Sequence, residues 1–280
     1  MILFSILIAN YNNDIFFEEC YKSIINQTYT NWEVIIVDDC STDNSIDLIN
    51  SLIKDDSRFH QYFNDINYGC GYSKRKCADL ANGEICGFLD PDDALTPNAL
   101  EIMVEYHAKY DDAALIYSDY YYCKNTFKNI IPIKNDNIPE NLNYLIGMYK
   151  YKIGHFATFK KKYYKNSIGI NPILKRAVDQ DLYLKCEEQG KIIHIDDFLY
   201  LYRIHKNGIS LYDNNIKAIS WHIFVTIEAC RRREIDFEDI LSGLLSNIFY
   251  TDDKIFGKWM LNTIFGRLIF KILRYSKFIT

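Results

Sequence analysis

The sequence predicts an α/β protein: a mostly parallel sheet flanked by helices, followed by a helical C-terminal extension. Three observations predict it. Over the first 118 residues, short apolar runs alternate with amphipathic stretches, the pattern of parallel strands joined by right-handed helical crossovers. Two of those runs end in acidic clusters, Asp38-Asp39 and Asp90-Pro91-Asp92-Asp93, and open α/β sheets hold ligands beyond the carboxyl ends of their strands. The chain has 280 residues, 49% hydrophobic and 25% charged. That suits one large domain with an appendage and excludes disordered, collagen-like and coiled-coil chains.

The elements follow in order. Residues 4–8 are an apolar run of strand length. Residues 14–26 read as a helix, with Asp14 as its cap, Glu18 and Glu19 in its first turn, and Phe17, Cys20, Ile24 and Ile25 on one face. Residues 33–37 form a second buried strand. Ser41 is the expected N-cap of a helix running to Ile53. Residues 59–63 form a weaker strand, and a helix covers 73–81. Residues 85–89 form a third strong strand. Pro97 opens a helix to Lys109, as proline in a first turn can, and residues 113–117 return as strand. From 120 to 171 the pattern weakens to long loops with short strands and a helix near 142–149. A helix at 180–189, a strand at 192–195, a helix at 211–233 and further helix complete the chain. The expected division is 1–210 and 211–280, the first falling into two halves, 1–118 and 119–210.

The net charge of −5 argues against a general nucleic-acid binder. Residues 254–280 carry six basic residues and no acidic one, leaving about −11 on the rest. Within this tail Leu261, Ile264, Phe265, Leu268, Ile269 and Ile272 fall on one helical face, opposite Arg267, Lys271 and Arg274. A basic amphipathic helix of this kind can lie on anionic lipid; packing on the domain or on a second subunit of a homo-oligomer is the other reading. The eight cysteines have no CxxC spacing, which argues against a zinc ribbon and fits a reducing cytoplasm. The N-terminal apolar run lacks a positive leader and a cleavage pattern. No run of 18 apolar residues predicts a membrane span.

The acidic clusters carry the chemistry. Three carboxylates within Asp90-Pro91-Asp92-Asp93 repel one another unless neutralised. A hard divalent cation does this well, taking a few carboxylates together with substrate phosphates. The alternative is a solvated turn in which Asp93 caps the next helix; the preceding apolar strand favours the metal. Asp38 and Asp39 sit where a base or ribose could be gripped, whereas Ser41 and Asp43 read as caps.

Four linked segments resemble family 2 glycosyltransferases of the GT-A fold, which is Rossmann-like. They are Ser5-Ile-Leu-Ile-Ala-Asn-Tyr11-Asn12, Ser23-Ile-Ile-Asn-Gln27-Thr28-Tyr29, Val37-Asp38-Asp39-Cys40-Ser41-Thr42-Asp43 and Asn82-Gly83-Glu84-Ile-Cys-Gly-Phe-Leu-Asp90-Pro-Asp92-Asp93. Order and spacing agree over about residues 3–120, and more weakly to about Ser210. The resemblance implies a nucleotide-sugar donor held by Mn2+ or Mg2+, with 1–118 as the nucleotide-binding half and 119–210 as the acceptor-binding half. Ala9 and Tyr11 would line the nucleoside pocket, and Asp39, beside Asp38, would contact the base, with uridine expected. Asp92 would approach the ribose or metal, Asp93 would ligate the metal, and Asp90 would support the loop and reach toward the sugar. Arg75, within Lys74-Arg75-Lys76, is the expected donor contact. Two departures bear on the donor: Ala9-Asn10 replaces a common Pro-Thr pair, and Cys40 stands where glycine usually follows the paired Asp.

Further along, Val178-Asp179-Gln180-Asp181 occupies the place of the family's acidic pair. By this resemblance Asp179 is the general base that takes the acceptor's proton, while Asp181 favours a helix start. An aspartate with an ordinary pKa of ~4 is a weak base, so its placement beside the hydroxyl matters more than its strength. Tyr202-Arg203-Ile204-His205 matches an Arg-x-His motif, in which Arg203 could hold a phosphate oxygen and His205 ligate the metal. Inversion of configuration is implied. The expected acceptor is a glycan or lipid-linked hydroxyl, in bacterial surface polysaccharide synthesis, on the inner face of the membrane.

Three rivals stand beside this reading. In a metal-dependent phosphohydrolase the Asp90-x-Asp92 pair would lie near the N-terminus and precede Gly-Thr; Asp93-Ala94 follows here. A nucleotidyltransferase would carry a Gly-rich, basic N-terminal phosphate loop, which residues 9–14 lack. A non-catalytic nucleotide-sugar binding module would have no use for Asp179.

Overall fold

The first strand, β1 (Phe4–Asn10), lies between two parallel neighbours, β2 (Trp32–Asp38) and β4 (Ile85–Phe88). This explains the unbroken apolar runs: a strand covered on both faces has no polar side. The computed structural model describes residues 1–124, 126–139, 142–148, 151–205, 215–238 and 240. The chain divides into two units, Met1–Lys206 and Asn207–Thr280. In the second, the described helix is α8 (Asn215–Arg232). Residues 254–280, with the basic tail, lie outside the described residues.

The described residues of the first unit form a nine-stranded sheet. Its other strands are β3 (Phe59–Phe63), β5 (Ala94–Leu95), β6 (Ala113–Lys124), β7 (Ile130–Ile133), β8 (Ala157–Lys160) and β9 (Lys191–Ile204). The order is β3-β2-β1-β4-β8-β6-β9-β5, with β7 paired to β6. The helices are α1 (Phe17–Ile25), α2 (Ser45–Ile53), α3 (Cys70–Leu80), α4 (Ala99–Lys109), α5 (Tyr144–Gly147), α6 (Lys161–Asn166) and α7 (Val178–Glu187). The sheet is more mixed than the alternation predicts. Strand β8 runs antiparallel to both β4 and β6, and β5 and β7 are also antiparallel to their partners. The reversal comes from the region 120–171, where sequence periodicity is weakest.

Several boundaries differ from expectation. Helix α1 starts at Phe17 with Phe16 as its N-cap, and Asp14 does not cap it. Ser41 does not cap α2, which begins after Asn44; its hydroxyl donates to Asp38 Oδ2 at 2.7 Å. Asp43 does support that helix, accepting from Ser45 N–H at 3.0 Å. Pro97 lies before α4, whose N-cap is Asn98. Strand β9 runs for 14 residues rather than four. It pairs with β6 along its length, which brings its far end to the acidic loop.

The core joins Phe4, Ile6, Ile8, Val34, Ile36 and Tyr200 from the strands, and Phe156 just before β8, to Phe17, Ile24, Leu100 and Met103 from the helices. A polar knot holds the entry to β4. Glu33 Oε1 accepts from Ser5 Oγ and Asn82 N–H, both at 2.6 Å, and Oε2 accepts from Asn82 Nδ2 at 3.0 Å. Burial pushes the Glu33 carboxyl up, but these donors outweigh it and hold it below the usual range.

Candidate active site

The carboxyl ends of β1, β2 and β4 converge, and the acidic clusters lie there. Asp38 is fully buried. It accepts from Asn10 Nδ2 at 2.8 Å and from Ser41 N–H at 2.8 Å. Asp39 accepts from Asn64 Nδ2 (2.8 Å), Tyr68 N–H (3.0 Å) and Gly69 N–H (2.7 Å), pinning the turn that starts α3. Cys40, directly after them, has φ 64°, the left-handed conformation that favours glycine. The backbone demand is therefore present although the glycine is not. Ala9 is half-buried at the end of β1, and Tyr11 is exposed beside it.

The Asp90–Asp93 loop is clamped by β9. Asp93 is buried; its Oδ2 accepts from Tyr200 O–H at 2.8 Å and its Oδ1 from Arg203 N–H at 2.7 Å. Burial, with Asp92 and Asp90 beside it, pushes the Asp93 carboxyl well above the usual range. Arg203 Nε donates to Asp92 O at 2.7 Å and Nη2 to Glu19 Oε2 at 2.6 Å. Its guanidinium lies over the rings of Phe16 and Phe127, 4.9 and 4.1 Å from their centroids. His205 Nε2 lies 2.7 Å from Asp92 Oδ2, and its ring packs on Phe16 at 4.7 Å. One imidazole nitrogen and one carboxylate oxygen thus converge, a mixed donor set that suits Mn2+ better than Mg2+ once diphosphate oxygens complete it.

A cleft next to this loop is lined by Lys74, Phe88, Asp90, His155, Asp179 and Tyr183 among others. Lys74 Nζ lies 2.9 Å from Asp179 Oδ1 and 3.2 Å from Asp90 Oδ1. Burial alone would pull its ammonium down, but Asp179 and Asp90 push it well above its usual range, so it stays a cation. Asp179 is in the first turn of α7, where the helix dipole favours a carboxylate. Asp181 is buried, accepting from Lys185 Nζ at 2.6 Å and Asn171 N–H at 2.8 Å. Its role is to seat α7.

The structure thus gathers Asp90, Asp92, Asp179 and His205 around one cleft and loop. Arg75 lies elsewhere: its Nη1 donates to Ile168 O and Ile170 O, and its Nε pairs with Asp79. Its neighbour Lys74 is the cation in the cleft. A sequence signal for this was present, because Gly71, Lys74 and Ala78 share the buried face of α3 at helical spacing. Tyr200, Glu19 and His155 carry no motif of their own; only the pairing of β9 with β5 and β6 brings Tyr200 under the loop.

Comparison with known proteins follows the same geometry. The fold resembles S. aureus TarS in complex with UDP-GlcNAc, with TM-score 0.71 and 19% identity over 93% of this chain and 76% of that one. It also resembles the Pyrobaculum calidifontis mannosyltransferase PcManGT in complex with GDP-Man and Mn2+, with TM-score 0.66 and 16% identity over 98% and 79%. The fold is that of the GT-A glycosyltransferases. Residues 5–169 match the model of glycosyl transferase family 2, and the chain belongs to that family. In sequence it is 29% identical over 242 residues to the hyaluronan synthase of Pasteurella multocida, covering 84% of this chain but 24% of that protein. The glycosyltransferase GlyG of Streptococcus pneumoniae is 27% identical over 74% of this chain and 72% of its own length. The chain therefore spans about a quarter of the length of the synthase and most of the length of the smaller relative.

Proposed function

We propose that the protein transfers a sugar from a nucleotide-sugar donor, a UDP-sugar, to a hydroxyl of a glycan or lipid-linked acceptor in bacterial polysaccharide synthesis. The observation that carries this reading is the joint placement of Asp92–His205 and of Lys74–Asp90–Asp179 at the strand ends. Asp92 and His205 would hold the divalent metal, which when bound supplies positive charge to the diphosphate leaving group. Asp93 and Arg203 hold the loop that presents Asp92. Asp179 takes the acceptor's proton as the acceptor oxygen bonds to the anomeric carbon. The bond from that carbon to the diphosphate oxygen breaks, and its electron pair leaves with the nucleoside diphosphate. Attack from the opposite face inverts the configuration. Asp38, Asp39, Ala9 and Tyr11 shape the nucleoside side of the site.

The match of residues 5–169 to glycosyl transferase family 2 argues against a phosphohydrolase. Contact of residues 254–280 with the inner face of the membrane belongs to the same proposal, since a lipid-linked acceptor would give it a purpose. The test is a thermal-shift series of nucleoside diphosphates and sugar nucleotides with and without Mn2+. A metal-dependent rise with UDP is the expected result. A rise with GDP instead would replace the base, and no rise with any nucleotide would overturn the proposal.

A further inference from the structure

Strands β6 and β9 bring together a second set of metal-ligating side chains, apart from the acidic loop. Asp119 on β6 and His194 and Asp196 on β9 each offer one ligand atom, and these atoms lie within 4.8 Å of one another. His194 Nε2 is 2.8 Å from Asp119 Oδ1. His194 and Asp196 are two residues apart on one strand, so both address one face of the sheet. On β6, Asp119 lies two residues from Tyr117 and so on the same face, and the Tyr117 ring packs against that of His194 at 5.0 Å. The three side chains therefore share a face by register.

The strand pairing is irregular at this point. Register steps from Ser118↔Ile195 to Asp119↔Phe198, leaving Asp196 and Asp197 as an extra pair of residues on β9. Bulges of this kind re-aim side chains and recur beside functional sites.

A second observation points to a ligand. Asp119 is fully buried, and among the described residues its Oδ2 has no hydrogen-bond partner. A buried carboxylate oxygen left unpaired is costly, and native structures avoid it unless something else binds there. Its other oxygen is fixed by Asn135 N–H at 2.8 Å as well as by His194, the kind of outer contact that orients a metal ligand.

We propose that Asp119, His194 and Asp196 form a second metal site, which takes a borderline divalent cation, Zn2+ or Mn2+. One imidazole nitrogen with two carboxylate oxygens matches those ions better than Mg2+ or Ca2+, which prefer oxygen alone. On binding, the neutral imidazole of His194 carries its proton on Nδ1 and its Nε2 lone pair goes to the metal, so the contact with Asp119 Oδ1 is exchanged for the metal. The site ties β9 to β6 and to the segment around Asn135 and Asp136, whose carbonyl accepts from Tyr117 O–H. Its place is structural, in the half of the domain expected to receive the acceptor.

The test is a Mn2+ titration of the full chain without nucleotide, read as loss of the free-ion EPR signal, with Mg2+ as competitor. Asp196 is exposed, so Asp196→Asn should leave the fold intact. It is expected to weaken Mn2+ binding at this site by about tenfold or more, as is His194→Gln, whereas Asp92→Asn in the acidic loop leaves this binding unchanged. Unchanged Mn2+ affinity in Asp196→Asn and His194→Gln, with circular dichroism as in the wild type, would overturn the site. So would binding lost only in Asp92→Asn, or no binding to the wild type. Equal competition by Mg2+ would overturn the assigned cation. None of these outcomes touches the nucleotide response, which tests the transferase reading separately.

Discussion

Lys74 Nζ lies 2.9 Å from Asp179 Oδ1, so a single buried ammonium on α3 holds a carboxylate at the start of α7. The same nitrogen reaches Asp90 at 3.2 Å. The residue proposed to take the acceptor's proton and the loop proposed to meet the donor are thereby joined through one cation.

Asp179→Asn keeps the shape of the side chain and removes its basicity. Turnover should fall by about 10²–10⁴-fold, the usual worth of a general base. Donor binding, followed by thermal shift, should persist. Equal loss of binding and turnover would show that Asp179 serves the cleft's structure instead.

Lys74→Met leaves Asp90 and Asp179 facing each other without a cation. The partners are about a third exposed, so water screens part of the cost, and a loss of about 1–3 kcal/mol is expected. Urea unfolding measures it. Turnover should drop further than stability alone explains, whereas Arg75→Met, outside the cleft, should leave turnover near wild type.

Arg203→Met removes the clamp on the Asp92 carbonyl and the pair with Glu19. Glu19 is half-exposed, so the stability cost should be near the lower end for a broken buried pair, about 2–3 kcal/mol. The Mn2+-dependent part of the nucleotide thermal shift should shrink more than the metal-free part. Equal shrinkage of both would assign Arg203 to the nucleotide directly.

His107 gives a pH signature. It is buried against Thr158, and burial, with Lys160 nearby, pulls its imidazole down to about 3. The unfolded chain binds that proton near pH ~6.5, so His107 favours the folded state above that pH. Its contribution declines as pH falls toward 3. Between pH 7 and pH 5 the loss is about 2 kcal/mol. Urea unfolding at both pH values should show a smaller decline in His107→Gln than in the wild type. Parallel declines would refute this account.

The parallel half of the fold was legible because each of its buried strands is a continuous apolar run ended by a turn or an acidic pair, as at Val37-Asp38 and Leu89-Asp90. The mixed half was not. Strand β8 is only four residues long and the long β9 carries tyrosine, lysine and aspartate, and their strand state depends on pairing with β6 rather than on local pattern. Within the site, clustered charge marked Asp90, Asp92 and Asp93. It did not tell Asp92, which meets His205, from Asp93, whose oxygens are taken by Tyr200 and Arg203. That distinction is made by a strand more than a hundred residues further on. Lys74 was hidden among three adjacent basic residues, and only the helical phase of α3 separates it from Arg75.

Strand β9 sets a limit on how this chain can vary in length. It carries His194 and Asp196 toward one end and Tyr200 and Arg203 toward the other, with His205 directly after its last residue. Side chains alternate faces along a strand, so adding or deleting one residue between these groups would turn every later side chain over. Arg203 and His205 would then leave the acidic loop together. Insertions and deletions that adapt the protein to a new acceptor must therefore fall outside residues 194–205, and grafting this strand between homologues should succeed only when its residue count is kept.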